Sequence, residues 1–490
     1  MPAPTLPDLL AALAADATVE GGAPFLHLAA DHFARTAAEA GPVSAGRPAR
    51  ELAARFDEPL PQGIRPLGAV VDRLARDVLP DVNRLSHPMY LGHQVSAPLP
   101  VAVWSDLVIS AVNNSQAVRE MSPVTTPIER RLIAWMAELA GFGAGAGGTL
   151  TSGGTEATLT ALLAARAALR PGAWQDGLTG PPPVLVAGEH AHYAVSRAAG
   201  VMGIGAAHCL AVPSRDHRMD PGALETMLTG LRREGREILA VVATAGCTAT
   251  GAFDDLEAIA TVCERAGAWL HVDGAHGASA LLSDAHRHRV RGIARAQSLA
   301  WDPHKMMLLP LAAGAVLVRD VEALGRAYAQ RAPYLFHEAD EADTDLGPVS
   351  FQCSRRADAL KVWVALQRYG ADGIGVLHDH LCALTSALHD RVAARSAFEV
   401  LHRPESNILC FRYRADDAFN ASLRARYNRS GHGWITATAL DGRRVLRVTV
   451  MNPRTTEAHL DRLLDGLEAE AHRMVAGRDV AGSSGRALES

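Results

Sequence analysis

Lys305 stands in "WDPHKMM", between a histidine and an apolar run, and is one of only two lysines in a chain with 48 basic residues. A chain this biased is expected to write arginine wherever a positive charge suffices. Arginine stays protonated and has no free amine. Lysine loses its proton when desolvated and then attacks a carbonyl carbon to form an imine. The retained lysine points to amine chemistry. A leftover structural lysine is the other explanation, and Lys361, on the amphipathic stretch "ADALKVWVALQRYG", reads as that kind.

Four more stretches carry reactive residue types at the ends of predicted elements. "LHVDGAHG" puts Asp273 at the carboxyl end of a buried run, where parallel sheets bind ligands. A buried carboxylate needs a partner. A protonated pyridine nitrogen is one, and pyridoxal phosphate (PLP) needs such a carboxylate to remain an electron sink; capping of the next helix is the alternative. "TLTSGGTEATLTALLAAR" opens from a Gly-Gly turn into a helix, and helix-start amides bind phosphate. Ser152, Gly153, Gly154 and Thr155 are the candidates there, although Ser-Gly-Gly-Thr-Glu is also a good cap with nothing bound. "GEHAHYAVSRAAG" carries His192, able to lie flat on an aromatic ring or to be structural. "VVATAGCTATGAFDDL" ends a strand at Thr244, which can bond a cofactor oxygen or close a turn. Each signal is modest alone. In chain order, the turn, His192, Thr244, Asp273 and Lys305 make one cofactor site.

The elements that must position these residues follow from periodicity. Residues 1–80 read as helices between Gly/Pro-rich breaks, with too little apolar content for a core of their own, and are expected to be a dimerisation segment packing on a second subunit. Residues 81–375 alternate short β-rich runs ("PVLVAG", "ILAVVATAG", "AWLHVDGA", "SLAWDPH", "AGAVLVRD") with helical stretches, which predicts an α/β domain built on a mainly parallel sheet. Residues 376–475 change pattern and predict a small α+β domain. Residues 476–490 have the composition of a disordered tail.

Composition narrows the class. The chain is 48% hydrophobic and 21% charged with a formal charge of −5, and its arginines are dispersed, so neither nucleic acid nor an anionic membrane is an expected partner. The six cysteines are widely spaced with no C-x-x-C pair, so neither a metal site nor a disulfide framework is expected, and a reducing cytoplasm is. The acidic start predicts no secretory signal. The longest apolar run, 306–318, is broken by Pro310 and too short to span a bilayer.

With these motifs in place, the chain resembles the group II PLP-dependent decarboxylases, which act on glutamate, cysteine sulfinate, diaminobutyrate and aromatic amino acids. The likeness runs from "LSHPMYLGHQ" to "NPRTTEAHLDRLL" and rests on "HVDGA", "DPHK" and "FQCSRRADALKVW". It implies PLP-dependent fold type I and a homodimer with a shared active site. Lys305 would hold PLP covalently and His304 would lie beside the phosphate. Asp273 would pair with the pyridine nitrogen, Ala275 would lie under the ring, and His192 would stack on it. Thr244 would sit near the phenolic oxygen, with Ser152, Gly153, Gly154, Thr155 and Asp302 around the phosphate. Lys305, His192, Asp273 and His304 would be catalytic. Gln94, Tyr90, Ala117 and Arg447 would face the substrate, Arg447 through a bidentate contact to a carboxylate. The chain departs from the family pattern at Gly274, where alanine is usual, at Asp302, where asparagine is common, and near Ala117, where the glutamate branch has a bulky aromatic. The small Ala117 implies an amino-acid side chain larger than glutamate's.

The implied reaction is decarboxylation to an amine. The family's loop tyrosine, which protonates Cα, has no counterpart in "HEADEADTDLGPVS", and His337 is the one neutral-pH donor there. Oxidative deamination to an aldehyde is therefore the alternative outcome. A non-catalytic partner subunit and an aminotransferase of the same fold are the further readings. The intact Lys305, Asp273 and His192 oppose the first, and the HVDxA-to-PHK pattern the second.

Overall fold

The computed structural model describes residues 5–329 and 345–486. A seven-stranded sheet forms the centre. Its strands lie in the order Gly147–Thr151, Gly314–Val318, Ser298–Trp301, Trp269–Asp273, Ile238–Thr244, Val184–Gly188, Cys209–Val212. Only Gly314–Val318 runs antiparallel to its neighbours. Parallel strands need crossovers, and helices such as Gly154–Leu169 and Leu256–Ala266 supply them.

These strands read as continuous apolar runs because both faces are covered. Alternate residues point to opposite faces. Leu185, Ala187, Ala240 and Val242 pack with Ala157, Ala161 and Leu162 of the helix Gly154–Leu169. Val184, Val186, Val241 and Ala243 belong to the larger core on the other side. The alanines of that helix let it lie close to the sheet.

A second sheet has five strands, in the order Tyr90–Leu91, Trp434–Leu440, Arg443–Thr449, Ile408–Tyr413, Phe398–Val400. Its first strand comes from far upstream and pairs in parallel with Trp434 and Ile435. The helix Ala359–Ala393 crosses position 375, where a domain change was expected, and bends at Gly370, whose φ is 71°. The closing helix Glu457–Arg486 continues into the expected tail. A helix already nucleated propagates at little cost, and no proline interrupts it here.

The N-terminal helix Leu6–Asp16 buries none of its residues, and Leu6, Leu10 and Leu13 are exposed. Among the described residues no single helix is long and apolar enough to cross a membrane. The pair Leu6–Asp16 and Val19–Ala37 reaches that composition only across a 57° bend.

Candidate active site

A cavity of about 570 Å³ opens at the carboxyl edge of the large sheet. Strand register explains what lines it. Thr244 and Asp273 are paired neighbours on adjacent strands, and Asp273 pairs in turn with Ala300, two residues before Asp302. Three strands thus end side by side and present a hydroxyl and two carboxylates. The Thr151–Gly154 turn and the segment 302–305 close the same edge.

Lys305 Nζ lies 3.3 Å from Asp302 Oδ2. The same oxygen accepts the Gly154 amide at 2.9 Å, at the start of the helix Gly154–Leu169. Asp302 Oδ1 is buried without a hydrogen-bond partner. Glycine is required on both sides of this carboxylate. A Cβ on Gly154 would stand 2.8 Å from that of Ala275, and one on Gly314 would stand 2.8 Å from Asp302 Oδ1. His304 donates from Nδ1 to the Ala313 carbonyl at 2.7 Å, which leaves Nε2 3.6 Å from Asp302. Burial holds the His304 imidazole below its ordinary range.

Asp273 is 8% exposed, and its Oδ1 accepts the Ala275 amide at 3.2 Å. His192 lines the cavity and accepts the Ala194 amide at Nδ1, 3.3 Å away. Burial lowers its pKa, with Lys305 adding to the effect and Asp273 opposing it. Gln94, Ser152, Gly153, Gly154, Thr155, Thr244, Ala275 and Asp302 line the cavity too.

Four expected residues, Ser152, Tyr90, Ala117 and Arg447, make contacts of their own. The Ser152 hydroxyl and amide both engage the Glu156 carboxylate, at 2.6 and 2.9 Å, while the N-cap is Gly153 and makes no side-chain capping bond. Tyr90 does not line the cavity. It is 3% exposed and its ring stacks on Trp434, at 6.5 Å between centroids, because residues 90–91 are a strand of the second sheet. Ala117 is 1% exposed and lies outside the cavity of its own chain, where its carbonyl accepts the Gly347 amide. Arg447 stands behind the lining and donates to the Thr248 carbonyl at 2.8 Å. Its Nε is buried without a partner, and among the described residues no carboxylate lies within ion-pair distance. Residues 330–344, with His337, lie outside the described residues.

Other positioning residues were not anticipated. Asp254 accepts the amides of Thr244 and Met219, both at 2.7 Å, and burial pushes its carboxyl up to about 6. The signal was present: "FDDL" has two consecutive aspartates, and Asp255 alone caps the next helix. His276 lines the cavity and bonds Asn407 at 2.7 Å; burial brings its pKa down to about 3, so it is a neutral ring.

Several features of this cavity fit PLP. One amine faces it. A buried carboxylate ends the central strand for a ring nitrogen. A glycine cradle at a helix start, which a Cβ would fill, suits a phosphate. Residues 49–414 match the family model for the pyridoxal-dependent decarboxylase conserved domain. The chain is 34% identical over 427 residues to the L-2,4-diaminobutyrate decarboxylase of Rhizobium meliloti (strain 1021), covering 85% of this chain and 84% of that one. It superposes on the crystal structure of mouse CSAD with a TM-score of 0.84 at 30% identity, over 88% and 93% of the two chains. Against Oryza sativa TDC solved with PLP and tryptamine the TM-score is 0.87 at 25% identity, over 94% and 99%. The chain belongs to the pyridoxal-dependent decarboxylase family, as a PLP-dependent carboxy-lyase acting on an amino acid. Its architecture is that of PLP fold type I.

Proposed function

We propose that this enzyme decarboxylates an L-amino acid with a side chain larger than glutamate's, releasing the amine. The observation that carries this reading is the lone cavity amine, Lys305 Nζ, 3.3 Å from Asp302 and within the ring of strand ends that includes Asp273. The cofactor, when bound, supplies a sink for the electron pair left behind as CO2 departs. Lys305 is its covalent anchor and, once freed, a proton carrier inside the cavity. Asp273 keeps a proton on the ring nitrogen. His192 and Ala275 would hold the ring between them, Gly154, Thr155 and His304 would lie near the phosphate, and Thr244 would lie near the phenolic oxygen.

Arg447 holds a substrate carboxylate. A buried guanidinium without a counter-ion is costly, and a carboxylate from the substrate would relieve that cost while using the unpartnered Nε. Arg447→Lys keeps the charge but loses the planar fork. Losing one charge-assisted hydrogen bond costs roughly 1.5–3 kcal/mol. We therefore expect kcat/KM to fall about 10- to 100-fold, mostly through KM. An unchanged kcat/KM would remove Arg447 from the site.

The working unit is a homodimer. The exposed leucines of Leu6–Asp16 are an apolar face that a second subunit would cover, and Ala117 limits substrate size only across such an interface. Six unpaired cysteines suit a reducing cytoplasm.

A second reading is favoured by the sequence 337–350, which has no tyrosine. A general acid must reach the carbon it protonates. With a slow proton, oxygen intercepts the carbanionic electrons. One water is taken up, and the products are then aldehyde, ammonia and CO2, with O2 reduced to hydrogen peroxide. The test is a screen of amino acids for CO2 release, followed by product analysis with and without oxygen. We expect CO2 from a substrate bulkier than glutamate, and an aldehyde fraction that disappears anaerobically. Quantitative amine without oxygen uptake leaves simple decarboxylation; no CO2 from any amino acid overturns both readings.

A further inference from the structure

A second cluster of reactive side chains lies apart from the cavity. His378, Asp379 and Cys382 sit on the long helix Ala359–Ala393. Four residues separate His378 from Cys382, so both lie on one face, one turn apart. His286 and Ser283 come from the segment that follows the Asp273 strand. The donor atoms of His286, His378 and Cys382 all lie within 4.8 Å of one another. Cys382 Sγ is 3.9 Å from His378 Nδ1. Asp379 Oδ1 is 2.9 Å from His286 Nδ1 and 3.4 Å from His378 Nδ1.

We propose that His286, His378 and Cys382, with Asp379 as fourth donor, form a structural site for one zinc-class divalent cation. Zinc takes nitrogen and oxygen at about 2.0–2.2 Å and thiolate sulfur at about 2.3 Å, which places donors roughly 3.3–3.8 Å apart in a tetrahedron. The donors of His286, His378 and Cys382 lie within 4.8 Å of one another and come from two elements, and Asp379 adds an oxygen 2.9 Å and 3.4 Å from the two imidazoles. Mixed imidazole, thiolate and carboxylate donors suit zinc or cobalt rather than calcium or magnesium.

The approach of the two elements is built into the backbone. A Cβ on Gly375 would stand 2.1 Å from the Leu282 carbonyl oxygen, so only glycine lets the helix come this near. His378 and Cys382 are buried, at 2% and 6% exposure, while the His286 side chain is 23% exposed and leaves a way in. The hydrogen-bond network around Asp379, which also accepts from Ser283, accounts for the histidines without any ion. The Cys382 thiol lies 3.9 Å from His378 Nδ1, near the outer limit for a hydrogen bond to sulfur.

A bound ion would tie the segment carrying His276 to the helix that leads into the five-stranded sheet, and so join the Lys305 and Arg447 sides of the enzyme. None of the four donors lines the cavity.

The test uses the full chain purified with its cofactor, treated with a chelator, desalted and titrated with Co²⁺. One Co²⁺ per chain should bind, with tetrahedral d–d bands in the red, clear of cofactor absorption, and Zn²⁺ should displace it. Even outer-shell changes cost about 10- to 100-fold in metal affinity, so His286→Gln and Cys382→Ser should each weaken binding at least about a hundredfold. His389→Gln, on the same helix, should leave it unchanged. Cys382 is buried and its variant can fail to fold; His286 is at the edge, so His286→Gln decides in that case. Substoichiometric binding, octahedral spectra, or undiminished affinity in His286→Gln would overturn the site.

Discussion

Lys305→Arg is expected to abolish turnover while leaving the fold and its melting temperature intact. The substituted side chain keeps the ion pair that Lys305 makes with Asp302. It cannot present a neutral amine, because guanidinium stays protonated at any working pH. The loss should exceed about a thousandfold, or roughly 4 kcal/mol on the barrier. Borohydride reduction of the purified enzyme gives an independent readout. It should fix the cofactor to the peptide containing Lys305 and to none in Lys305→Arg. The second lysine sharpens this test. Lys361 is fully buried, and its amine lies 3.0 Å from Asp358 and 3.3 Å from Asp106, so it is a structural ion. Label on Lys361, or no label, would overturn the assignment.

Asp273→Ala is expected to lower kcat by about a hundredfold or more, the usual scale for removing one preorganised electrostatic group. Asp273 is nearly enclosed at the end of a central strand, with one oxygen on the Ala275 amide. Without it, the ring nitrogen of the bound cofactor would lose the charge proposed to keep it protonated. The loss should persist at saturating substrate and saturating cofactor, and Asp273→Asn, similar in shape but neutral, should share it. Circular dichroism separates this outcome from misfolding. Turnover near normal in either variant would exclude the role.

Much of this protein is determined by short stretches of sequence. The apolar runs that end in Thr244, Asp273 and Trp301 specify strands covered on both faces, because only a sheet between two helical layers lets every residue of a run be apolar. A run's end marks where the chain leaves the sheet, and in parallel sheets that edge binds ligands. Thr244, Asp273 and Lys305 could therefore be assigned to one edge before any contact was known. The scarcity of lysine narrowed the amine to Lys305 or Lys361, and the position of Lys305 after a strand end favoured it.

What tertiary structure decided was which way side chains point and which distant residues meet. Tyr90 and Gln94 are four residues apart, yet one stacks on Trp434 in the second sheet and the other lines the cavity. Glu129 and Arg355, both almost fully buried, form an ion pair across 226 residues that no periodicity announces. His286 reaches His378 and Cys382 only because Gly375 lets a helix press against the Leu282 carbonyl. Spacing along the chain encodes the face of an element on which a residue lies. The partner across a packed interface is set by how elements fit in three dimensions, where loops of any length close at small extra cost.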